Sequence, residues 1–269
     1  MDLSTRYLVK PGSKARLSSR DPDDTAGLKS KKDALELLEQ CRKDLYDLQY
    51  LLYAENKQAL LIVLQAMDAG GKDGTIRHVM AGLNPQGCRV TSFKKPAGEE
   101  VDHHYLWRIH KAMPRRGEIG IFNRSHYEDV LVVRVHNLVP KKVWTKRYEQ
   151  IRNFEQMLAE NNIHIVKFFL HISKEEQKKR FERRLSDPSK QWKASASDFA
   201  ERKFWGDYSA AFEEALSRCS TASAPWYVIP ANRKWFRNLA VAEIICETLR
   251  GMKMKFPKPS ADISNMVVE

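Results

Sequence analysis

Leu60 to Thr75 reads LLIVLQAMDAGGKDGT. Its first part, Leu60-Leu61-Ile62-Val63-Leu64, is a short unbroken apolar run, the pattern of a strand buried on both faces. Gly70, Gly71 and Gly74 then let the backbone turn tightly and approach a ligand closely. Lys72 stands where the lysine of a phosphate-binding loop reaches phosphate oxygens. A helix starting near Asp73 would aim its first amides at the same anion. The match to G-x-x-x-x-G-K-[ST] has two departures. Ala66 fills the first glycine position and Asp73 follows the lysine, so the metal-holding hydroxyl is missing there, with Thr75 close by. The loop brings its own carboxylates, Asp68 and Asp73. The candidate cradle is therefore Asp68-Ala69-Gly70-Gly71-Lys72-Asp73-Gly74-Thr75. The plain alternative is a strand-to-helix turn with an incidental lysine.

Outward from this loop, strands alternate with helices. Ser30 can cap a helix to about Asn56, with Ala34, Leu38, Cys41, Leu45, Leu48 and Leu52 as its apolar stripe. Further strands are expected at 88–93, 118–122, 163–172 and 225–230, with helices at 98–112, 141–161, from Ser173 and from Asn232. Glu176 completes a capping-box pattern with Ser173, and Asn232 can cap the last helix. The alternation predicts an α/β fold: a five-stranded parallel sheet covered by helices on both faces. Ligands in such sheets bind at the carboxyl ends of the strands.

That rule selects residues. After the third strand comes Asn123-Arg124-Ser125-His126-Tyr127-Glu128-Asp129. After the fourth comes a cationic helix with Arg180 and Arg184 on one face, then a polar loop with Lys190, Trp192 and Lys193. Phosphoryl transfer needs cations to spread the moving charge and carboxylates to hold a metal. Arg124 can bridge two phosphates; Asp68 with Glu128 or Asp129 can ligate metal. The cationic helix and its loop suit a lid closing over phosphates. Solvated helix faces are the alternative for both groups. His103, His104 and His110 lack the spacing of a zinc pair.

The chain has 269 residues, 42% of them hydrophobic, and a formal charge of +12, which points to a polyanion or a phosphorylated ligand. Nucleic acid is the default partner for such a charge. No nucleic-acid recognition motif is present, however, and nucleic acid is not expected. Cys41, Cys88, Cys219 and Cys246 form no C-x-x-C pair and read as reduced, mostly buried thiols. There is no signal-peptide core and no apolar run of membrane-spanning length, so a cytoplasmic protein with no membrane partner is expected.

Several longer stretches carry a resemblance: QAMDAGGKDGT at 65–75, NPQG at 84–87, YLWRIH at 105–110, FNRSHYEDVLVVRV at 122–135, DPSKQWK at 187–193 and APWYVIPANRKWFRN at 224–238. Through them the chain resembles the polyphosphate kinase 2 family, most of all its class III members. The resemblance runs from about Arg6 to the C-terminus. It implies a P-loop kinase-like three-layer α/β/α sandwich related to thymidylate kinase, with a helical lid. It implies reversible phosphoryl transfer from inorganic polyphosphate to AMP and ADP with Mg²⁺, or with Mn²⁺ in its place. By position, Asp68 and Glu128 would hold the metal and Lys72 would hold phosphate. Arg124 would contact the phosphates in flight. Arg180, Arg184 and Lys193 would belong to the lid. In the ADP-specific branch the position of Asn123 is Asp and that of Glu128 is Asn; the displaced carboxylate here points to class III. Family members often carry Asp at His104 and Phe at Ala194. The implied organisation is an extended cationic arm at 1–29, one P-loop kinase domain at 30–258 with its lid at about 174–205, and a tail at 259–269. A homo-oligomer, dimer or tetramer, is expected. The competing functions are an ATP-dependent nucleoside monophosphate kinase of the same fold and a non-catalytic protein that binds a polyanion or nucleic acid.

Overall fold

A computed structural model describes residues 2–193 and 196–259. Five strands, β1 (Ala59–Ala66), β2 (Cys88–Ser92), β3 (Ile119–Asn123), β4 (Ile163–His171) and β5 (Trp226–Pro230), form one sheet in the order β2-β3-β1-β4-β5. Every pairing is parallel. β1 is central and buried along its whole length, which explains why its sequence is apolar without alternation. Its side chains still divide by parity. Leu60, Ile62 and Leu64 enter one core, and Leu61 and Val63 the other.

The helices are α1 (Leu3–Tyr7), α2 (Lys31–Glu55), α3 (Lys72–Val79), α4 (Trp107–Lys111), α5 (Val132–Val135), α6 (Lys141–Glu160), α7 (Lys174–Ser186), α8 (Ala196–Glu201), α9 (Trp205–Cys219) and α10 (Lys234–Gly251). α1, α2, α3 and α10 cover the first face; α4, α6 and α9 cover the second. The result is the expected α/β/α sandwich. Ser30 caps α2 through its hydroxyl, and Asn56 closes it in the left-handed region. The buried stripe of α2 takes Gln49 in place of Leu48, because Gln49 holds both the N–H and the C=O of Asn84. Among the described residues no helix is long and apolar enough to cross a membrane. All four cysteines are free thiols, three of them buried.

Three local expectations are corrected. The helix at 98–112 is broken: a 3-10 turn at Gly98–Val101 and α4 are separate, and Val101 is 63% exposed instead of aligning with Ile109. Arg108 ties the two pieces together by donating to Lys94 O and Glu100. Asn232 does not cap α10. Its side chain accepts from Ser173 N and donates to Asp23, so it joins three segments across the sheet edge. The capping box of α7 is half made: Ser173 accepts from Glu176 N, but the Glu176 carboxylate faces Arg180 and Arg183. The N-terminal arm packs against the sheet edge through several of its residues. Leu3, Tyr7, Val9, Ala15 and Leu17 are buried, Val9 N donates to Trp226 O, and Leu8 bridges Tyr227 antiparallel at the β5 edge.

Candidate active site

The carboxyl ends of β1, β3, β4 and β5 converge on one place. β1 runs into the loop 67–71, where Ala69 (φ 60) and Gly71 (φ 103) turn through the left-handed region. A Cβ on Gly70 would lie 2.4 Å from that of Ala66, so the loop is too tight there for any side chain. Lys72 opens α3 and folds back, donating to Ala66 O at 3.4 Å. Burial, reinforced by Arg124, lowers its pKa against the pull of Asp68, Glu128 and Asp73. The loop thus keeps a desolvated cation beside its amides, an arrangement suited to an anion.

β3 ends in Asn123 and Arg124. Arg124 is also left-handed (φ 62), a conformation that costs a non-glycine residue roughly 1–3 kcal/mol and is held where function needs it. Its backbone N–H donates to Leu64 O, and its Nη2 meets Asp68 Oδ1 at 3.3 Å. Burial opposes the Arg124 charge, but Glu128, Asp68 and Asp198 outweigh it and keep the guanidinium pKa raised. Burial raises the Glu128 pKa, and neighbouring Asp68 pushes the same way against Arg124 and Lys72. Asp198 is raised by the same two causes, burial and Asp68. Two cations and three carboxylates therefore share one pocket of field.

Asn123 Nδ2 donates to Asp73 Oδ1 at 2.7 Å, and Lys193 Nζ reaches Asp73 Oδ2 at 3.5 Å. Asp73 so links the phosphate loop to the β3 end and to the loop after α7. Arg184 pairs with Asp198 at 3.2 Å on the same side. Arg180 is placed differently from its expected role as a lid arginine. Its five N–H groups meet five oxygens: Glu176, Ala69 O, Gly70 O, Ala231 O and Asn232 O. It clamps the phosphate loop from beneath and has no donor left for phosphate. Thr75 is likewise turned inward: its hydroxyl donates to Gly71 O, and the residue is fully buried. Ala194 lies outside the described residues. His104 lines a surface cavity of about 490 Å³ with Lys142, Lys146 and Arg147, apart from the loop residues named above.

The comparisons with known proteins bear on this geometry. Residues 28–257 match the family model described as polyphosphate kinase 2. The chain belongs to the polyphosphate kinase 2 family. It is 52% identical over 265 residues to the AMP/ADP-polyphosphate phosphotransferase of Meiothermus ruber, covering 98% of this chain and 99% of that one. It is 51% identical over 241 residues to the ADP-polyphosphate phosphotransferase of Rhodopseudomonas palustris, covering 85% and 83%. The crystal structure of polyphosphate kinase 2 from Arthrobacter aurescens superposes with a TM-score of 0.94 at 42% identity, covering 98% of this chain and 94% of that one.

Three residues packed around this loop carry no role in the motif reading. Gln177 on α7 donates to Asp68 O at 2.9 Å and accepts from Arg202, so it holds the backbone of Asp68 in place. Asp198 faces Asp68 and Arg184 from α8. Arg237 lies under Gly71. Gln177 and Asp198 sit in charge-rich helices where nothing marks them. Arg237 did carry a signal: it is the one charge within Trp235 to Ala242.

Proposed function

We propose that this polyphosphate kinase 2 transfers phosphoryl groups from inorganic polyphosphate to AMP and ADP, making ADP and ATP, reversibly. The observation that carries the reading is the near full-length similarity to the Meiothermus ruber enzyme, together with the cation pair Lys72 and Arg124 set among carboxylates. Lys72 neutralises a phosphate held on the loop. Arg124 spreads the charge of the phosphoryl in transit. Arg184 and Lys193 complete the cover from the α7 side.

The donor set fits a hard divalent cation. Among the described residues no trio of His, Cys, Asp or Glu forms a closed cage, whereas Mg²⁺ takes one or two carboxylates plus substrate phosphates and water. Asp68 and Glu128 would hold it, and their mutual repulsion would be relieved by its charge. Bound there, the metal neutralises phosphate oxygens. Acceptance of AMP, the class III trait, rests on Asn123 and Glu128 standing where the ADP-specific branch has Asp and Asn. We place the enzyme in the cytoplasm as part of the same reading. A homo-oligomer is supported by Tyr46, Tyr50 and Tyr53, a row on α2 that is more than half exposed.

The test uses purified protein, AMP, Mg²⁺ and long-chain polyphosphate without ATP. ADP and then ATP are expected. Absence of both products sinks the reading, and ADP formed only from ATP plus AMP replaces it with a nucleoside monophosphate kinase.

A further inference from the structure

Arg237 is 1% exposed and sits among the buried apolar residues Phe236, Leu239, Ala240 and Val241 of α10. Its Nε and Nη2 donate to a single neutral acceptor, Asn238 Oδ1, at 3.1 and 2.7 Å. Among the described residues no carboxylate is within ion-pair distance of it, whereas its neighbour Arg180 has Glu176. The guanidinium presses on the phosphate loop. A Cβ on Gly71 would lie 2.0 Å from Arg237 Nη1, and one on Gly74 would lie 3.4 Å from Nη2. Burial, with Arg180 alongside, pushes the Arg237 pKa down to about 9. That direction marks a charge without its counter-ion.

An isolated buried charge is among the costliest things a core can hold. It is tolerable where a ligand brings the opposite charge. Here the guanidinium lies against Gly71 and Gly74, the glycines that flank Lys72 and Asp73. We propose that Arg237 is a positioning residue of the phosphate site: it supports Gly71 and Gly74 from beneath, and its charge is balanced by the phosphate chain held on the loop. The inference rests on the loop binding a phosphate chain, as in the function proposed above, whether that chain belongs to polyphosphate or to a nucleotide.

The empty enzyme then bears a cost that the ligand relieves. Arg237→Met keeps the volume and removes the charge. Thermal unfolding is followed with and without long-chain polyphosphate, and separately with ATP. In the wild type at least one probe raises the Tm. In R237M that rise is expected to fall to less than half, and the KM for the corresponding substrate to rise roughly tenfold, the scale of one lost charge about 6 Å away at an effective dielectric of about 40. Arg237→Lys should recover part of both. Arg237→Gln is a second neutral variant, should R237M not fold. A neutral variant with a wild-type ligand response and KM overturns the proposal, whatever its own Tm. So does a lysine variant no better than the neutral ones. A wild type stabilised by neither probe overturns it too. Stabilisation by ATP alone, lost in R237M, supports the role of Arg237 while refuting polyphosphate as the chain on the loop.

Discussion

Lys167 and Arg237 are both buried cations, on opposite faces of the same sheet, and their surroundings differ. Lys167 is 0% exposed and spends its three N–H groups on Glu155, Tyr127 Oη and Cys219 O. Glu155 in turn accepts from His126 and Tyr127. Burial raises the Glu155 pKa, but Lys167 and His126 outweigh it and hold it low. Arg237 has one neutral oxygen. The charges of this network are matched within it, although His126 Nδ1 has no hydrogen-bond partner among the described residues. The network fixes His126 and Tyr127, which lie between Arg124 and Glu128, and so it sets the loop that carries them. The open group faces the phosphate loop. Buried charge that is fully matched serves the scaffold, and buried charge left unmatched marks the side from which an anion is awaited.

The largest effect tests the closed half. Glu155→Leu strands Lys167 in the core and should cost about 3–5 kcal/mol, read by urea unfolding. Adding Lys167→Met should recover most of that loss. A single variant that costs under about 1 kcal/mol would break the contrast. Next comes the open half. Lys72→Met should lower kcat about 10²–10³-fold, the range for one electrostatic donor to a transition state. Its Tm should hold or rise, because Lys72 is a cation disfavoured by burial. Full turnover in that variant would remove the loop from the chemistry.

Much of the fold was legible in the sequence, little of this contrast was, and the boundary is physical. The strand run at 60–64, the glycines and Lys72 announce themselves because periodicity and backbone freedom are local properties. The sandwich followed from the alternation of elements, and the resemblance placed Arg124 and Glu128 by motif. Arg180 was read as a lid arginine and is a clamp instead: its backbone acceptors belong to residues 69, 70, 231 and 232, which have no side-chain signature. Asn232 looked like a helix cap and instead joins Asp23, 209 positions away in the chain, to Ser173. The Lys167–Glu155 pair is invisible in IHIVKFFLHI, where one lysine in a strand reads as an edge position. Partners remote in sequence decide these roles, and a single chain does not display them.

Smaller effects sharpen the site. Glu128→Asn should change the ratio of kcat/KM for AMP to that for ADP about tenfold, near the energy of one charge-assisted contact. An unchanged ratio would remove the reason for placing acceptor choice there. Gln177→Ala frees Asp68 O and Arg202 together. Losing a buried amide with two partners should cost roughly 1–3 kcal/mol of stability, and kcat should fall with it while KM for AMP stays level.

The smallest effect lies at the N-terminal arm, where a matched pair sits near the surface. Asp24 accepts from Arg6 at 2.9 and 3.0 Å and from Tyr7 Oη at 2.9 Å. Burial raises its pKa, but Arg6 and the Ala26 amide outweigh it, and the net shift is downward. A carboxylate depressed in the folded state contributes stability that is fully present above its unfolded value and is lost as pH falls through the folded one. Glu155 follows the same sign, but its proton must enter a sealed core, whereas Asp24 holds only the arm. Solvent screening limits the surface pair to a few tenths of a kcal/mol. Acidification from pH 7 to about 3 should therefore raise amide exchange first in residues 2–20, before β1 or β4 responds, as unmatched arm contacts open ahead of the core. In Asp24→Asn the arm should exchange faster already at pH 7 and lose this acid step. Simultaneous opening of arm and sheet in the wild type would show that surface and buried pairs are one cooperative unit.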